Sequence, residues 1–280
     1  MPPMSLEKDL KEKISYQRDE IDRQRKELTE SIKYASYIQN ALLPSHKDIK
    51  KYLPEHFVIF IPRDIVSGDF YWITKRKSEL IIAIADCTGH GVPGAFMSIL
   101  GITLLSEIAN RASYTSASSI LNQLRESVMR ALNQKGTEEE QKDGIDMALC
   151  VLNLETNVLE CAGAFNPVYI IKKNRLIEVQ GDKMPIGIAA LEENSFTNHR
   201  FDLEEGDLVY LFSDGFVDQF GGTEGKKFKY QPFRNLLLSI SNLPMHVQKN
   251  ELFKAFNHWK GNLAQLDDVL MFGFRYHIKY

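Results

Sequence analysis

Apolar and polar positions change period at about residue 44, and each regime predicts a different kind of element. Residues 6–43 are densely charged and free of Gly and Pro, with Ile14, Ile21, Leu28, Ala35 and Leu42 recurring at every seventh position. This predicts one long helix. The companion heptad position holds Leu10, Gln17, Gln24, Ser31 and Ile38, so only one seam is consistently apolar and the coiled coil it encodes is weak. Such a helix pairs with a second copy, pairs with an upstream partner, or lays one stripe on its own domain. Residues 31–43 are richer in apolar and aromatic side chains, which predicts docking on the body of the protein, and Pro44 ends the helix.

Beyond Pro44 the runs shorten. Residues 57–62 and 70–73 read as paired strands around a loop carrying Asp69, and residues 79–85 as a third strand. Residues 92–110 are apolar nearly all round, predicting a buried helix; residues 116–134 form a second, with Ile120, Leu121, Leu124, Val128 and Leu132 on one face. A polar break at 135–143, containing Glu138-Glu139-Glu140, predicts a mobile loop. Strands at 146–152, 158–162, 168–172 and 176–179 follow so closely that antiparallel meanders are expected, and an irregular crossing over 181–200 ends in another strand. Residues 215–228 are rich in Gly and Lys and predict a flap. Helices at 231–241 and 245–260 and a strand at 269–276 that closes a sheet complete the chain. The predicted fold class is α+β: a four-layer α-β-β-α sandwich of two antiparallel sheets flanked by helix pairs, preceded by the long helix. Residues 1–43 form a helical linker and 44–280 one domain.

Composition narrows the partners. With 44% hydrophobic and 25% charged residues the chain has the make-up of a soluble globular protein. A net charge of -3 without a basic stripe excludes nucleic acid as the main partner. Cys87, Cys150 and Cys161 show no ligand-like spacing, which predicts reduced, buried thiols in the cytoplasm. The first residues lack the apolar core of a signal peptide and no run approaches about 18 uninterrupted apolar residues, so no membrane is expected.

The chemistry lies in acids at strand ends. The run Ile81-Ile82-Ala83-Ile84-Ala85 delivers Asp86, and Cys87-Thr88-Gly89-His90-Gly91 turns into a helix. An ionised carboxylate buried among Ile and Ala costs several kcal/mol unless a cation or strong donors meet it; the plainer role is a helix cap. Asp69 heads an aromatic strand, Asp214 follows Leu208-Val209-Tyr210-Leu211-Phe212-Ser213, and Asp267 and Asp268 precede Val269. Oxygen ligands without clustered His or Cys suit Mg²⁺ or Mn²⁺. So many acids fit two cations about 3.5–4 Å apart around an attacking water and a phosphate. Asp86 then bridges both ions, and Asp69, Asp214 and Asp267 each hold one side, largely through waters.

The segments Val66-Ser67-Gly68-Asp69-Phe70-Tyr71-Trp72, Ala85-Asp86-Cys87-Thr88-Gly89-His90-Gly91, Phe212-Ser213-Asp214-Gly215 and Gln265-Leu266-Asp267-Asp268 resemble, in order and spacing, the motifs of the metal-dependent Ser/Thr protein phosphatases (PPM, or phosphatase 2C-like), in their bacterial SpoIIE-type branch. The resemblance covers roughly residues 44–280. It implies hydrolysis of phosphoserine or phosphothreonine on a partner protein, with Asp69, Asp86, Asp214, Asp267 and the Cys87 backbone carbonyl holding two divalent cations. It also implies a phosphorylated substrate such as a STAS-type anti-sigma-factor antagonist in partner-switching signalling, and a helical linker that transmits dimerisation or an upstream signal. Two features depart from the family pattern. Thr88 stands where the wider family places a proton-donating His, leaving His90 as the candidate acid, and the phosphate-gripping Arg has no clear counterpart, with Arg63, Lys226 and Lys227 as possible substitutes. Competing readings are a two-metal phosphodiesterase, which lacks the expected basic or aromatic track here, and a non-catalytic phosphoprotein-binding adaptor.

Overall fold

The charged segment folds into a single helix, α1 (Met4–Leu42), in a computed structural model that describes residues 4–111, 116–135, 143–188 and 195–278. Arg23 bridges Glu20 at 2.8 Å and Glu27 at 3.1 Å along its exposed surface, the pairing that supports a solvated helix. Ile14, Ile21 and Leu28 stay 55%, 54% and 62% exposed, so this stripe finds no cover among the described residues. Among its described side chains, α1 docks at its end, through buried Gln39 and through Leu43 just beyond it. The side chain of Leu10 and most of the acidic break at 135–143 lie outside the described residues.

After α1 come α2 (His46–Lys50), β1 (His56–Ile61), β2 (Phe70–Arg76), β3 (Glu79–Cys87), α3 (Gly91–Arg111) and α4 (Ala117–Ala131). Then follow β4 (Gly144–Asn153), β5 (Val158–Ala164), β6 (Val168–Lys172), β7 (Arg175–Val179), β8 (Ile186–Gly187), β9 (His199–Asp202) and β10 (Leu208–Phe212). The last are α5 (Gly215–Asp218), β11 (Phe220–Gly221), β12 (Lys226–Lys227), α6 (Tyr230–Ile240), α7 (Met245–Lys260) and β13 (Val269–Arg275). One antiparallel sheet runs β1-β13-β10-β6-β7, and the other β2-β3-β4-β5-β9 with β8 beside β4. Period-two alternation gives each sheet two apolar faces. Ile81, Ala83 and Leu149 pack under α3 and α4; Leu80, Ile82 and Ile84 meet Ile170, Leu211 and Phe272 between the sheets; Tyr169, Tyr210 and Phe212 pack under α6 and α7. The result is the expected four-layer α-β-β-α sandwich.

Several local expectations need correction. β1 and β2 are not a pair: β1 lies against β13 in one sheet, β2 against β3 in the other. The loop between them crosses the layers because Asp268 accepts the backbone N–H groups of Arg63 and Gly68, each at 2.7 Å. The strands from β4 to β7 pair antiparallel with their neighbours as expected, but as two hairpins, β4–β5 in one sheet and β6–β7 in the other, since Phe165-Asn166-Pro167 carries the chain across. β13 lies inside its sheet, between β1 and β10. The flap is a short helix, α5, followed by the β11–β12 hairpin. Helix α3 is buried along one side but leaves Val92 and Phe96 exposed; it alone among the described helices is long and apolar enough to cross a bilayer, and here it packs on β2, β3 and α4.

Candidate active site

Strand alternation builds the site. Asp86 shares its side of β3 with Leu80, Ile82 and Ile84, and Asp146 its side of β4 with Ala148, Cys150 and Leu152, so both acids face the space between the sheets. Asp86 pairs directly with Asp146, and Phe70 pairs with Ala85, which puts Asp69 at the next step opposite Asp86. Three carboxylates thus stand in a row across β2, β3 and β4, an arrangement that is destabilising for like charges. From the other sheet, Asp214 just beyond β10 and Asp267 just before β13 arrive at the same end.

Their ionisation records this crowding. Burial pushes the Asp69 carboxyl well above the usual range, with Asp268, Asp267 and Asp214 adding to the push; the Ser213 hydroxyl, donating to Asp69 Oδ2 at 2.6 Å, opposes it. Asp86 is raised by burial and then by Asp69, Asp214, Asp267 and Asp146. Asp146 is pushed up to about 7 by burial and the Asp214 charge. Asp214 reaches about 6 through burial, Asp218 and Asp267, with Lys227 pulling the other way. Burial raises Asp267 too, against the N–H of Asp268 and the charges of Arg63 and His90.

Among the described residues, no basic side chain pairs with any of the five. Lys227 is held by Asp218 at 2.7 Å, Lys226 by Glu224 at 2.5 Å, and His90 Nδ1 by Asp64 at 3.0 Å. An all-oxygen, acid-rich cleft without a protein cation fits hard divalent ions. Among the described residues, no three candidate ligands stand at direct coordinating spacing.

The structure separates the roles of neighbouring residues. Asp268 spends both carboxylate oxygens on the backbone of the 62–69 loop, whereas Asp267 accepts only the N–H of Asp268 at 2.8 Å. The Cys87 thiol is turned into the core under α3 and raised by burial, while its carbonyl lies against Gly68, where an added Cβ would stand 3.2 Å away. Gly68 and Gly94 both press on the Gly89 carbonyl, at 2.7 and 2.4 Å for an added Cβ, which locks the Asp69 loop to the turn after Asp86. Thr88 clasps Gly144 through 3.0 Å hydrogen bonds to its N–H and carbonyl. Arg63 is exposed, although its charge reaches Asp267. Sequence reasoning missed Asp146; its signal was an acid interrupting the inward-facing alternation of β4.

The Stage II sporulation protein E (SpoIIE) family model matches residues 76–277. Phosphoserine phosphatase RsbU of Bacillus subtilis (strain 168) is 26% identical over 199 residues, which are 69% of this chain and 55% of RsbU, so the chain spans about half the length of that relative. The SiaA-PP2C domain of Pseudomonas aeruginosa shares 29% identity at a TM-score of 0.81, covering 90% of this chain and 98% of that one. A structure of the PP2C phosphatase domain with a fragment of the regulatory domain of SpoIIE from Bacillus subtilis shares the fold at 18% identity and TM-score 0.61, over 80% of this chain and 62% of the other. With a family match running from Arg76 to His277 and the four-layer architecture held in common, the chain belongs to the SpoIIE family.

Proposed function

We propose that the chain is a metal-dependent protein phosphatase that hydrolyses phosphoserine or phosphothreonine on a partner protein. One observation carries this reading: Asp69, Asp86, Asp146, Asp214 and Asp267 converge from both sheets without a basic partner among the described residues. In this reading Asp69, Asp86, Asp214, Asp267 and the Cys87 carbonyl hold two divalent cations, Mn²⁺ or Mg²⁺, and Asp146 completes the ring beside Asp86. Such ions, when bound, make water a nucleophile near neutral pH and neutralise phosphate oxygens.

The chain's own groups do the positioning. Ser213 fixes Asp69, and Asp268 anchors the loop that carries it. His90, oriented through Nδ1 by Asp64, delivers a proton from Nε2 to the departing serine or threonine oxygen as the P–O bond breaks.

The likeness to RsbU, by name a phosphoserine phosphatase, and to the SiaA domain supports the substrate class. The physiological substrate is a phosphorylated STAS-type anti-sigma-factor antagonist or similar protein in cytoplasmic bacterial partner switching. Residues 1–43 serve as the regulatory linker and 44–280 as the catalytic domain. The exposed Ile14, Ile21 and Leu28 stripe pairs α1 with a second copy or an upstream sensor, and buried Gln39 carries that state to the Asp69 loop. Hydrolysis of p-nitrophenyl phosphate and of a phosphoserine peptide with Mn²⁺, lost in Asp86→Asn, tests the reading. Absence of turnover with every divalent cation refutes it.

A further inference from the structure

The short crossing from β5 to β6 is built in an unusual way. Phe165 N–H donates to the Asp182 carbonyl at 2.9 Å and Asn166 N–H to the Ala164 carbonyl at 2.6 Å. These bonds hold Phe165 at φ 55°, a left-handed conformation that aromatic residues seldom adopt, with its ring 46% exposed. Gly163 and Gly181 press on this crossing, an added Cβ standing 2.3 Å from the Asn166 carbonyl and 2.7 Å from the Phe165 backbone, so close packing fixes the position of the exposed ring. Asn166 beside it is 5% exposed, and its Nδ2 has no hydrogen-bond partner, a donor buried without an acceptor.

This crossing forms one wall of a cleft of about 240 Å³, with the first turn of α6 opposite. Pockets that enclose a small-molecule ligand run from about 300 to 1,000 Å³, so this one suits one or two side chains instead. Tyr230 is 37% exposed on the far wall. Arg234 is closed off by Glu178 at 2.5 Å and the Tyr169 hydroxyl at 3.1 Å, whereas Lys183 on the rim is exposed and has no ion-pair partner among the described residues. The cleft adjoins the acid ring: Met147 pairs with Ala164, which sets Phe165 one step on, across from Asp146, and Lys229 N–H donates to the Val217 carbonyl at 2.7 Å, which sets Tyr230 beside the α5 turn that follows Asp214.

We propose that this cleft seats the substrate polypeptide beside the phosphorylated residue, taking an apolar side chain between Phe165 and Tyr230 and an acidic one against Lys183. The proposal rests on the phosphatase reading above and adds a sequence preference to it.

Two phosphoserine peptides test it, one carrying Leu and Asp beside the phosphoserine, the other Ser and Lys. The wild-type chain with Mn²⁺ is expected to favour the first by about 10-fold in kcat/KM, the scale of an apolar contact in a pocket. Phe165→Ala lowers that ratio to about 2, leaving the Lys183 contribution, and Lys183→Glu lowers it by about 5-fold through lost attraction and like-charge repulsion with Asp. Lys254→Glu, on the exposed side of α7, controls for net charge and keeps the wild-type ratio. If one cleft variant fails to fold, the other decides. Equal turnover of both peptides by the wild type, or a wild-type ratio in a folded cleft variant, removes the cleft and leaves the phosphatase reading intact. No turnover of either peptide or of p-nitrophenyl phosphate removes both.

Discussion

Gln39 and Ser67 are joined by two hydrogen bonds across the boundary between α1 and the body of the protein: Gln39 Nε2 donates to the Ser67 carbonyl at 2.6 Å, and Ser67 N–H donates to Gln39 Oε1 at 3.1 Å. The same amide reaches Ser98 Oγ on α3 at 2.7 Å, and Ser67 Oγ accepts the N–H of Asp69 at 3.0 Å. A long exposed helix is thereby linked by one side chain to a carboxylate of the site. Gln39→Ala leaves buried backbone groups unpaired, at a cost of about 1–3 kcal/mol. Calorimetry should show a Tm lower by several degrees, and turnover should fall even at temperatures where the variant is fully folded. Unchanged turnover in a folded variant would disconnect the helix from the site.

Adjacent acids give a second contrast. Asp268→Ala removes the acceptor for the Arg63 and Gly68 N–H groups and should destabilise the fold by about 2–4 kcal/mol. Asp267→Asn should leave Tm near wild type and abolish the stabilisation that Mn²⁺ provides. A thermal-shift titration of both variants distinguishes the structural acid from the ligand.

Acid crowding makes metal-free stability depend on pH in a defined direction. Asp146 and Asp214 are pushed up to about 7 and 6, above the ordinary carboxylate value of about 3.9 that holds in the unfolded chain. The folded state therefore binds more protons in this window, and stability present below about pH 4 is lost as pH rises through 6 and 7. Without divalent ions, Tm should decline from these groups between pH 5 and 7.5. Mn²⁺ at about 100 times its Kd adds about 2.7 kcal/mol, with the larger gain at pH 7.5, where the acids are ionised. A Tm gain that is larger at pH 5 would contradict the site.

His90 can be tested through the leaving group. A serine alkoxide needs a proton, whereas p-nitrophenolate departs without one. His90→Asn should lower kcat on a phosphoserine peptide by about 100-fold and change p-nitrophenyl phosphate turnover far less. Equal losses on both substrates would assign His90, with Asp64, to the structure of the turn.

Polar replacement of Ile14, Ile21 and Leu28 addresses the stripe on α1. Sedimentation analysis should show the wild-type chain self-associating and the triple Asn variant monomeric, with turnover altered in step. A variant that changes neither property shows the stripe to be merely solvated.

Much of this was legible in the sequence because it depends on local pattern. The heptad spacing marked α1, the one-sided apolar stripe marked α4, and the strand-end acids marked four members of the ring. What escaped depends on pairings between distant segments. Nothing near β1 and β2 shows that they belong to different sheets, because the cause is Asp268, some 200 residues downstream. Asp146 was hidden inside a strand whose other residues read as ordinary core; only its register opposite Asp86 gives it meaning. Gln39 looked like one more polar residue on a charged helix until the fold buried it.

The acids reach their common point from two separately hydrogen-bonded sheets, held against each other by side-chain packing and, at the site, by the Ser213–Asp69 and Gly68–Asp268 hydrogen bonds. Sliding of the layers by about 1 Å would spoil the constellation while every strand ladder stayed whole, and displacements of that size can cost about 100-fold in rate. In the phosphatase reading, turnover is therefore a gauge of interlayer fit, and methyl-sized changes at Ile82, Cys150 or Leu211, which pack between the sheets, should tune it.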